Sequence, residues 1–340
     1  MELSKNDTKM LQGLSVVAMV CLHLFSRNYI GLYEPLLFIH HVPVCFCLSQ
    51  LSDFCVFGFA FCSGYAHMKL FDVPNYYKKR LRGLTVLIIN FWLILFGSTI
   101  ISVIIGTAGY MPESPEAFFG TMFLFDMHFN GAWWYLWAYT LLVLLSPLLL
   151  RVVKKAPFVP ILAVSFLIYC IAFYVRFQIS TSNWFLLHFG PFGMTFFEYI
   201  LGCVAAKYMV ITKLRGLSDK IPLWLRISLS CVSIVLLFFA RTFLIPSVFF
   251  APFSGFVIFA VFILWRKPKW VETTFLFLGK HSTNIWLTHM FFVASLWVYI
   301  AKYPLLIFAF LLLISVPISF VISFLLKGVT KVMKKLWKTV

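Results

Sequence analysis

Long apolar runs separated by short polar segments extend along almost the whole chain. Many of these runs reach the roughly 20 residues that an α-helix needs to cross a bilayer. The predicted spans are 9–27, 51–70, 82–106, 132–150, 157–175, 192–211, 223–240, 245–265, 283–301 and 304–326. The pattern therefore predicts an all-α, polytopic membrane protein with about ten transmembrane helices. We expect one transmembrane domain over residues 1–340 and no appended soluble domain.

Two stretches between the predicted spans have distinctive compositions. The segment 28–50 is apolar but contains Pro35 and Pro43, and we interpret it as an outer loop lying on the membrane interface. The loop 107–131 carries three acidic residues and no Lys or Arg, which predicts that it faces outside.

The composition and the placement of charge sharpen this interpretation. Of the 340 residues, 62% are hydrophobic and only 11% are charged, which excludes a soluble globular enzyme and a disordered chain. The net charge of +17 would suggest nucleic acid in a soluble protein. Here all but four of the 28 basic residues fall in the termini and in alternate loops, as cytoplasmic segments do. We therefore predict cytoplasmic termini, a multi-pass protein of the cell membrane, contact with membrane lipids and no nucleic-acid partner.

The eight cysteines contain no CxxC pair, and most lie in or beside apolar runs. They indicate small apolar side chains rather than a zinc or disulfide framework, and no metal is predicted.

Polar residues inside membrane spans are costly and are functional candidates for that reason. In the first span, Gln12 and His23 are eleven residues apart, about three helical turns, so they share a face. At 1.5 Å per residue, His23 lies about 21 Å from Lys9, in the outer half of a core about 30 Å thick. The alternative for His23 is a hydrogen bond to a neighbouring helix. Glu198, in the sixth span, needs a partner or a proton, and structural pairing with a His or Arg is its alternative.

The segment after the second span is dense in cations. Lys79, Arg80 and Arg82 suit an anion such as the phosphates of a nucleotide-like cofactor. The alternative is ordinary positive-inside signalling with lipid headgroup contact.

Two further stretches combine aromatic and polar side chains. Trp133 and Trp134 open the fourth span, where they form either an interfacial belt or a platform for a sugar ring. Asn284 and His289 lie in the ninth span, after a pattern typical of a helix start. An isolated His289 would more often be structural than catalytic.

Together, four segments resemble the integral-membrane acyltransferase family three, which includes O-acetyltransferases of surface polysaccharides. The segments are the opening helix that ends in His23, Phe61–Tyr65 with the basic stretch Lys78–Arg82, the Trp-rich start of the fourth span, and Gly279–His289. They bracket the chain from the first predicted span to the ninth.

The resemblance implies transfer of an acyl group, with acetyl expected, from cytoplasmic acyl-CoA to a sugar hydroxyl. The acceptor would be a surface or capsular polysaccharide or a lipid-linked sugar. Lys79, Arg80 and Arg82 would hold the CoA phosphates, and Trp133, Trp134, Asn284 and His289 would contribute to substrate binding. His23 would act as general base or accept the acyl group, with Glu198 as a candidate to orient it.

One position departs from the family pattern. The family has an Arg, sometimes a Lys, eleven residues before the histidine, and Gln12 stands there in this chain. Lys9, one turn earlier, is expected to supply the missing charge at the donor entrance.

Three rival interpretations have similar composition. They are a polysaccharide polymerase or lipid-linked sugar flippase, a secondary transporter, and a non-catalytic membrane sensor or scaffold. A polymerase or flippase would be expected to show a large outer loop or more spans. A secondary transporter would need polar residues on broken helices. A sensor or scaffold would fit if Gln12 marks a loss of activity.

Overall fold

The computed structural model describes residues 2–26, 33–126, 129–180, 182–245, 247–293 and 302–336, and 82% of these described residues are helical. Its α-helices are α1 (Lys5–Phe25), α2 (Val44–Leu51), α3 (Cys55–Leu70), α4 (Tyr76–Ile105), α5 (Pro115–Met122), α6 (Trp134–Lys155), α7 (Phe158–Gln178), α8 (Trp184–Lys207), α9 (Val210–Ser218), α10 (Leu223–Phe239), α11 (Ala251–Leu264), α12 (Lys269–Thr288), α13 (Met290–Val293) and α14 (Pro304–Leu336). Short 3₁₀ turns cover Ser52–Phe54, Ala108–Tyr110 and Val248–Phe250, and a π-helical turn covers Ala240–Leu244. The strands β1 (Phe38–Ile39) and β2 (Val42–Pro43) form an antiparallel hairpin.

Within the described residues, eight helical segments are long and apolar enough to cross a membrane. They are Lys5–Phe25, Val44–Leu70, Tyr76–Ile105, Trp134–Lys155, Phe158–Gln178, Trp184–Lys207, Leu223–Leu244 and Pro304–Val332. A shorter apolar helical segment covers Val248–Leu264. The prediction of an all-α, polytopic membrane protein is confirmed, whereas the sides on which the termini lie stay a prediction.

The segment predicted as an outer loop over 28–50 is partly helical. Its residues 28–32 lie outside the described part of the chain. After the hairpin, α2 begins at Val44 and continues through the turn at Ser52–Phe54 into α3. Pro43 stands just before the first helical turn, where backbone N–H groups have no intrahelical partner in any case. The prediction of a loop over 44–50 is therefore wrong, because Pro43 starts a helix rather than breaking one.

The ninth predicted span, 283–301, is only partly described. Its first residues belong to the end of α12 and to α13, and 294–301 lie outside the described residues.

The chain forms two compact units, which are described separately. Unit 1 comprises Met1–Pro74 and Leu145–Ser282, and unit 2 comprises Asn75–Leu144 and Thr283–Val340. The prediction of a single domain over 1–340 stays a prediction.

Unit 1 is built around α3, α7 and α8, and α1 packs against α3. Helices α3 and α8 approach each other through Gly64 and Gly202. A Cβ at Gly64 would overlap the carbonyl oxygen of Tyr199, and a Cβ at Gly202 would overlap that of Phe61. Small residues at such crossings bring two backbones close together, which is how helices gain packing contacts in a membrane.

Unit 2 contains a buried polar layer that joins α4, α12 and α14. Asn90 Nδ2 donates to Asn284 Oδ1 at 2.7 Å. Asn284 Nδ2 in turn lies 3.1 Å from the hydroxyl oxygens of both Ser319 and Ser323. Hydrogen bonds of this kind satisfy polar groups that would otherwise be costly inside a membrane.

Candidate functional site

Helix α1 carries three of the predicted site residues. It begins with a capping box, in which Ser4 and Asp7 exchange side chain-to-backbone hydrogen bonds. Capping by Ser and Asp favours a helix start because it satisfies otherwise free N–H groups. The helix then continues to Phe25, so Gln12 and His23 do lie on one face of a single helix.

Lys9 lies where α1 crosses α12. A Cβ at Gly13 would overlap the carbonyl oxygen of Phe275, and a Cβ at Gly279 would overlap that of Lys9. The two backbones therefore touch, and Lys9 Nζ comes within 3.4 Å of the carbonyl oxygen of Gly279. This crossing brings the first and the last of the four resembling segments together.

The second resembling segment meets α1 at the same level. Cys62 Sγ lies 3.9 Å from the carbonyl oxygen of Thr8. Tyr65 accepts a hydrogen bond from the backbone N–H of Leu3, at 3.2 Å. Lys9 is therefore flanked by α12 on one side and by α3 on another.

Gln12 lies one turn above Lys9. Its Oε1 atom is buried and accepts no hydrogen bond within the described part of the chain. A buried acceptor without a donor costs about 1–3 kcal/mol, and such atoms in native structures call for a functional or structural explanation. The geometry fits a position at which a polar group of another molecule could be bound.

His23 lies in the last turn of α1 and is half-buried. Two residues earlier, Cys21 lies beside Ser52, in the 3₁₀ turn before α3. The C-terminal end of α1 is thus packed against the segment that joins α2 to α3.

Glu198 is 4% exposed in α8. Its charged neighbours that act on it most strongly are Asp53 and Arg176. Its Oε2 atom accepts no hydrogen bond from any described residue. Both structural pairing with a His or Arg and the orienting role toward His23 stay predictions.

In unit 2, the predicted phosphate-binding cations lie in the first two turns of α4. Lys79 and Arg82 are exposed, and Arg80 is half-buried with its guanidinium 5.8 Å from the centre of the Tyr76 ring. The buried Nε of Arg80 makes no hydrogen bond to a described residue. Unit 2 has acidic residues only at Glu113, Glu116 and Asp126, all beyond the C-terminal end of α4.

The tryptophan pair divides into a buried and a half-buried member. Trp133 is fully buried, and its Nε1–H donates to the carbonyl oxygen of Leu287 at 2.9 Å. Its ring packs edge-on against Phe91, with centroids 4.9 Å apart. Trp134, the first residue of α6, is half-buried. Trp133 therefore exposes no ring face, and a binding role for either tryptophan stays a prediction.

Asn284 and His289 are both buried in unit 2. Asn284 belongs to the polar layer described above, with its side-chain oxygen and nitrogen both engaged. His289 is fully buried, and its Nδ1 lies 2.8 Å from the carbonyl oxygen of Trp286. This contact favours the tautomer with the proton on Nδ1. Their substrate-binding roles stay predictions.

Comparison with protein families decides the identity: the family model for an acyltransferase domain matches residues 8–324, nearly the whole chain. The chain belongs to acyltransferase family 3. No curated protein and no solved structure matches it. Every predicted site residue lies within the matched region of this membrane acyltransferase.

The acyltransferase also contains a buried ion pair that sequence reasoning missed. Arg241, in the π-helical turn, pairs with Asp53. It also donates to the carbonyl oxygens of Gln50, Ile245 and Ser247. Only its position outside the set of basic residues predicted to be cytoplasmic could have drawn attention to Arg241. π-Helical turns are often found at functional sites, which makes this pair the strongest addition to the predicted residues.

Proposed function

We propose that this membrane acyltransferase transfers an acyl group, with acetyl as the expected group, from cytoplasmic acyl-CoA to a sugar hydroxyl. The acceptor is a surface or capsular polysaccharide or its lipid-linked precursor. The observation that carries the proposal is the meeting of α1, α3 and α12 around Lys9. Three of the segments on which the family resemblance rests contribute to that meeting.

The donor is expected to contact two sets of residues. Lys79, Arg80 and Arg82 bind the phosphates of acyl-CoA, since charge-assisted hydrogen bonds to phosphate are short and strong. The unpartnered Nε of Arg80 supports this role. Lys9 supplies a further cation, and the unpartnered Oε1 of Gln12 accepts a hydrogen bond from the donor.

His23 is expected to perform the chemistry. A neutral imidazole can take the proton of the attacking sugar hydroxyl as that oxygen bonds to the thioester carbon. The carbon–sulfur bond then breaks, and the proton passes to the departing thiolate, giving an ester and free CoA. In the second route, His23 first accepts the acyl group and then transfers it to the hydroxyl.

The proposed reaction requires a particular orientation of the protein in the membrane. The protein lies in the cytoplasmic membrane with both termini inside, the donor enters from the cytoplasm and the sugar enters from outside. Reporter fusions at the two termini test this arrangement, and an outside C-terminus would contradict it.

Release of free CoA thiol tests the reaction. Purified protein in lipid nanodiscs is given acetyl-CoA with and without a glycan fraction from the producing cell. We expect thiol release that depends on the glycan, together with acetyl ester on the glycan. A His23→Ala variant that inserts normally should lose this activity. Equal transfer by wild type and variant would contradict the role of His23, and no transfer from any acyl-CoA would contradict the proposed function.

A further inference from the structure

A small cavity in unit 2 is not part of the site described so far. It has a volume of about 250 Å³. Its walls come from the 3₁₀ turn after α4, the turn before α6 and the start of α13. The lining residues are Thr107, Gly109, Tyr110, Phe129, Asn130, Gly131, Met290 and Phe291. The sequence predicts that the loop 107–131, which supplies most of them, faces outside.

Aromatic rings form the apolar part of the wall. Tyr110 and Phe291 have ring centroids 5.8 Å apart, and Phe129 and Phe291 have centroids 6.0 Å apart. Trp133 packs behind this wall, with its ring centroid 5.5 Å from that of Phe129 and 5.9 Å from that of Phe291. The buried Trp133 therefore supports the aromatic wall, even though it exposes no face of its own.

A buried polar side chain lines the same cavity. Asn130 is 4% exposed, and its Oδ1 accepts a hydrogen bond from the backbone N–H of Ala132 at 3.1 Å. Its Nδ2 carries two N–H groups, which are of the kind that can donate to the hydroxyls of a ligand. The hydroxyl of Thr107 adds a group that can donate and accept.

The side chains that line the cavity favour a neutral sugar ring over a charged ligand such as acyl-CoA. No described lining residue is charged, whereas the phosphates of an acyl-CoA would need cations. The volume is below the roughly 300–1,000 Å³ of pockets for drug-sized ligands, so the cavity suits one ring rather than a long chain. Aromatic faces pack against the C–H face of a sugar ring, and amide and hydroxyl groups bond its hydroxyls.

We propose that this cavity binds one neutral pyranose ring of the acceptor glycan, against the aromatic wall that contains Tyr110 and Phe291 and beside the amide of Asn130. The inference rests on the proposed function for its role in acyl transfer, but sugar binding can be measured without any acyl donor.

A substitution that fills the cavity gives the cleanest test. A Cβ added at Gly131 would meet no atom within 4 Å, so Gly131→Leu can occupy the cavity without a clash at its first carbon. Gly97→Leu is the matched control, because a Cβ there also meets nothing within 4 Å and Gly97 does not line the cavity. A second pair, Tyr110→Ala and Tyr110→Phe, separates loss of the ring from loss of the hydroxyl.

Binding is measured by equilibrium dialysis with radiolabelled methyl glycosides of glucose, galactose, rhamnose and N-acetylglucosamine. The protein is held in nanodiscs, because maltoside detergents carry sugar rings. We expect at least one glycoside to bind, and Gly131→Leu and Tyr110→Ala to weaken its binding roughly tenfold or more, as removal of an aromatic anchor does. Gly97→Leu and Tyr110→Phe should bind as wild type does.

The outcomes separate this inference from the proposed function. If wild type binds none of the glycosides, or Gly131→Leu binds as tightly as Gly97→Leu, the sugar site is overturned. If the glycosides bind in the cavity and no acyl-CoA supports transfer, the sugar site stands and the proposed function fails.

Discussion

The buried pair of Asp53 and Arg241 leads to a prediction about the stability of unit 1. Arg241→Met removes the cation and leaves the carboxylate of Asp53, 8% exposed, without its partner. Breaking a buried pair in this way typically costs about 3–5 kcal/mol, because the remaining charge is uncompensated. The carbonyl oxygens of Ile245 and Ser247 lose a donor as well. We therefore expect a loss of about 5 kcal/mol in the free energy of unfolding, at the upper end of that range.

The opposite substitution should be milder. Asp53→Asn keeps a side-chain oxygen beside Arg241, and the guanidinium retains its carbonyl acceptors, including that of Gln50. We expect a loss of about 1–3 kcal/mol, which is the cost of a weakened buried hydrogen bond. The double variant Asp53→Asn/Arg241→Met contains no unpaired aspartate. Its loss in the free energy of unfolding should therefore be smaller than the sum of the two single losses by about 1–3 kcal/mol.

Unfolding of the purified protein, followed by circular dichroism during titration with a denaturing detergent, measures these differences. Arg215→Met is the matched control, because the pair of Arg215 with Asp7 lies in the same unit but is partly exposed, at 22% and 23%. Pairs near the surface contribute about 0–1 kcal/mol. A loss in Arg241→Met no larger than in Arg215→Met would refute the reasoning, and so would strict additivity in the double variant.

Two further predictions concern the donor. Lys9→Ala should strongly reduce acyl transfer. Adding Gln12→Arg to that variant should largely restore the transfer activity, because the two side chains are one turn apart. A fully active Lys9→Ala protein in a thiol-release assay would contradict this. Replacing Arg80 and Arg82 by Gln should weaken acyl-CoA binding roughly tenfold or more for each lost contact, measured by dialysis of labelled acyl-CoA. Lys331→Gln, which removes another exposed cation of unit 2, is the control, and an equal effect in that variant would mean that only overall charge matters.

Much of the fold follows from the chain pattern, because helices that cross a bilayer need long apolar runs. The start of α2 at Val44 does not follow from the sequence pattern, because of the proline that precedes it. A proline can precede a helix as easily as interrupt one, and the apolar pattern of 44–50 alone does not distinguish the two.

The candidate site was less predictable, since its partners are distant in sequence. The shared face of Gln12 and His23 follows from helical periodicity alone. The pairing of Asp53 with Arg241 joins residues 188 positions apart, and nothing local marks either as a partner of the other. The position of Trp133 at a predicted boundary is compatible with an interfacial belt or with a sugar platform. Its burial depends instead on which rings pack around it, and those come from α4 and from residues after α12.

The polar layer of unit 2 has a consequence for synthesis and insertion. Asn90 enters the bilayer with α4, and its partner Asn284 is made 194 residues later. At a synthesis rate of about 5–20 residues per second, roughly 10–40 s pass between the synthesis of Asn90 and that of Asn284. The serines of α14 that complete the layer follow 35 and 39 positions after that. Until then α4 carries a polar group without its final partners, so a chain that stops before α14 leaves the polar layer incomplete inside the membrane, where unsatisfied polar groups are costly.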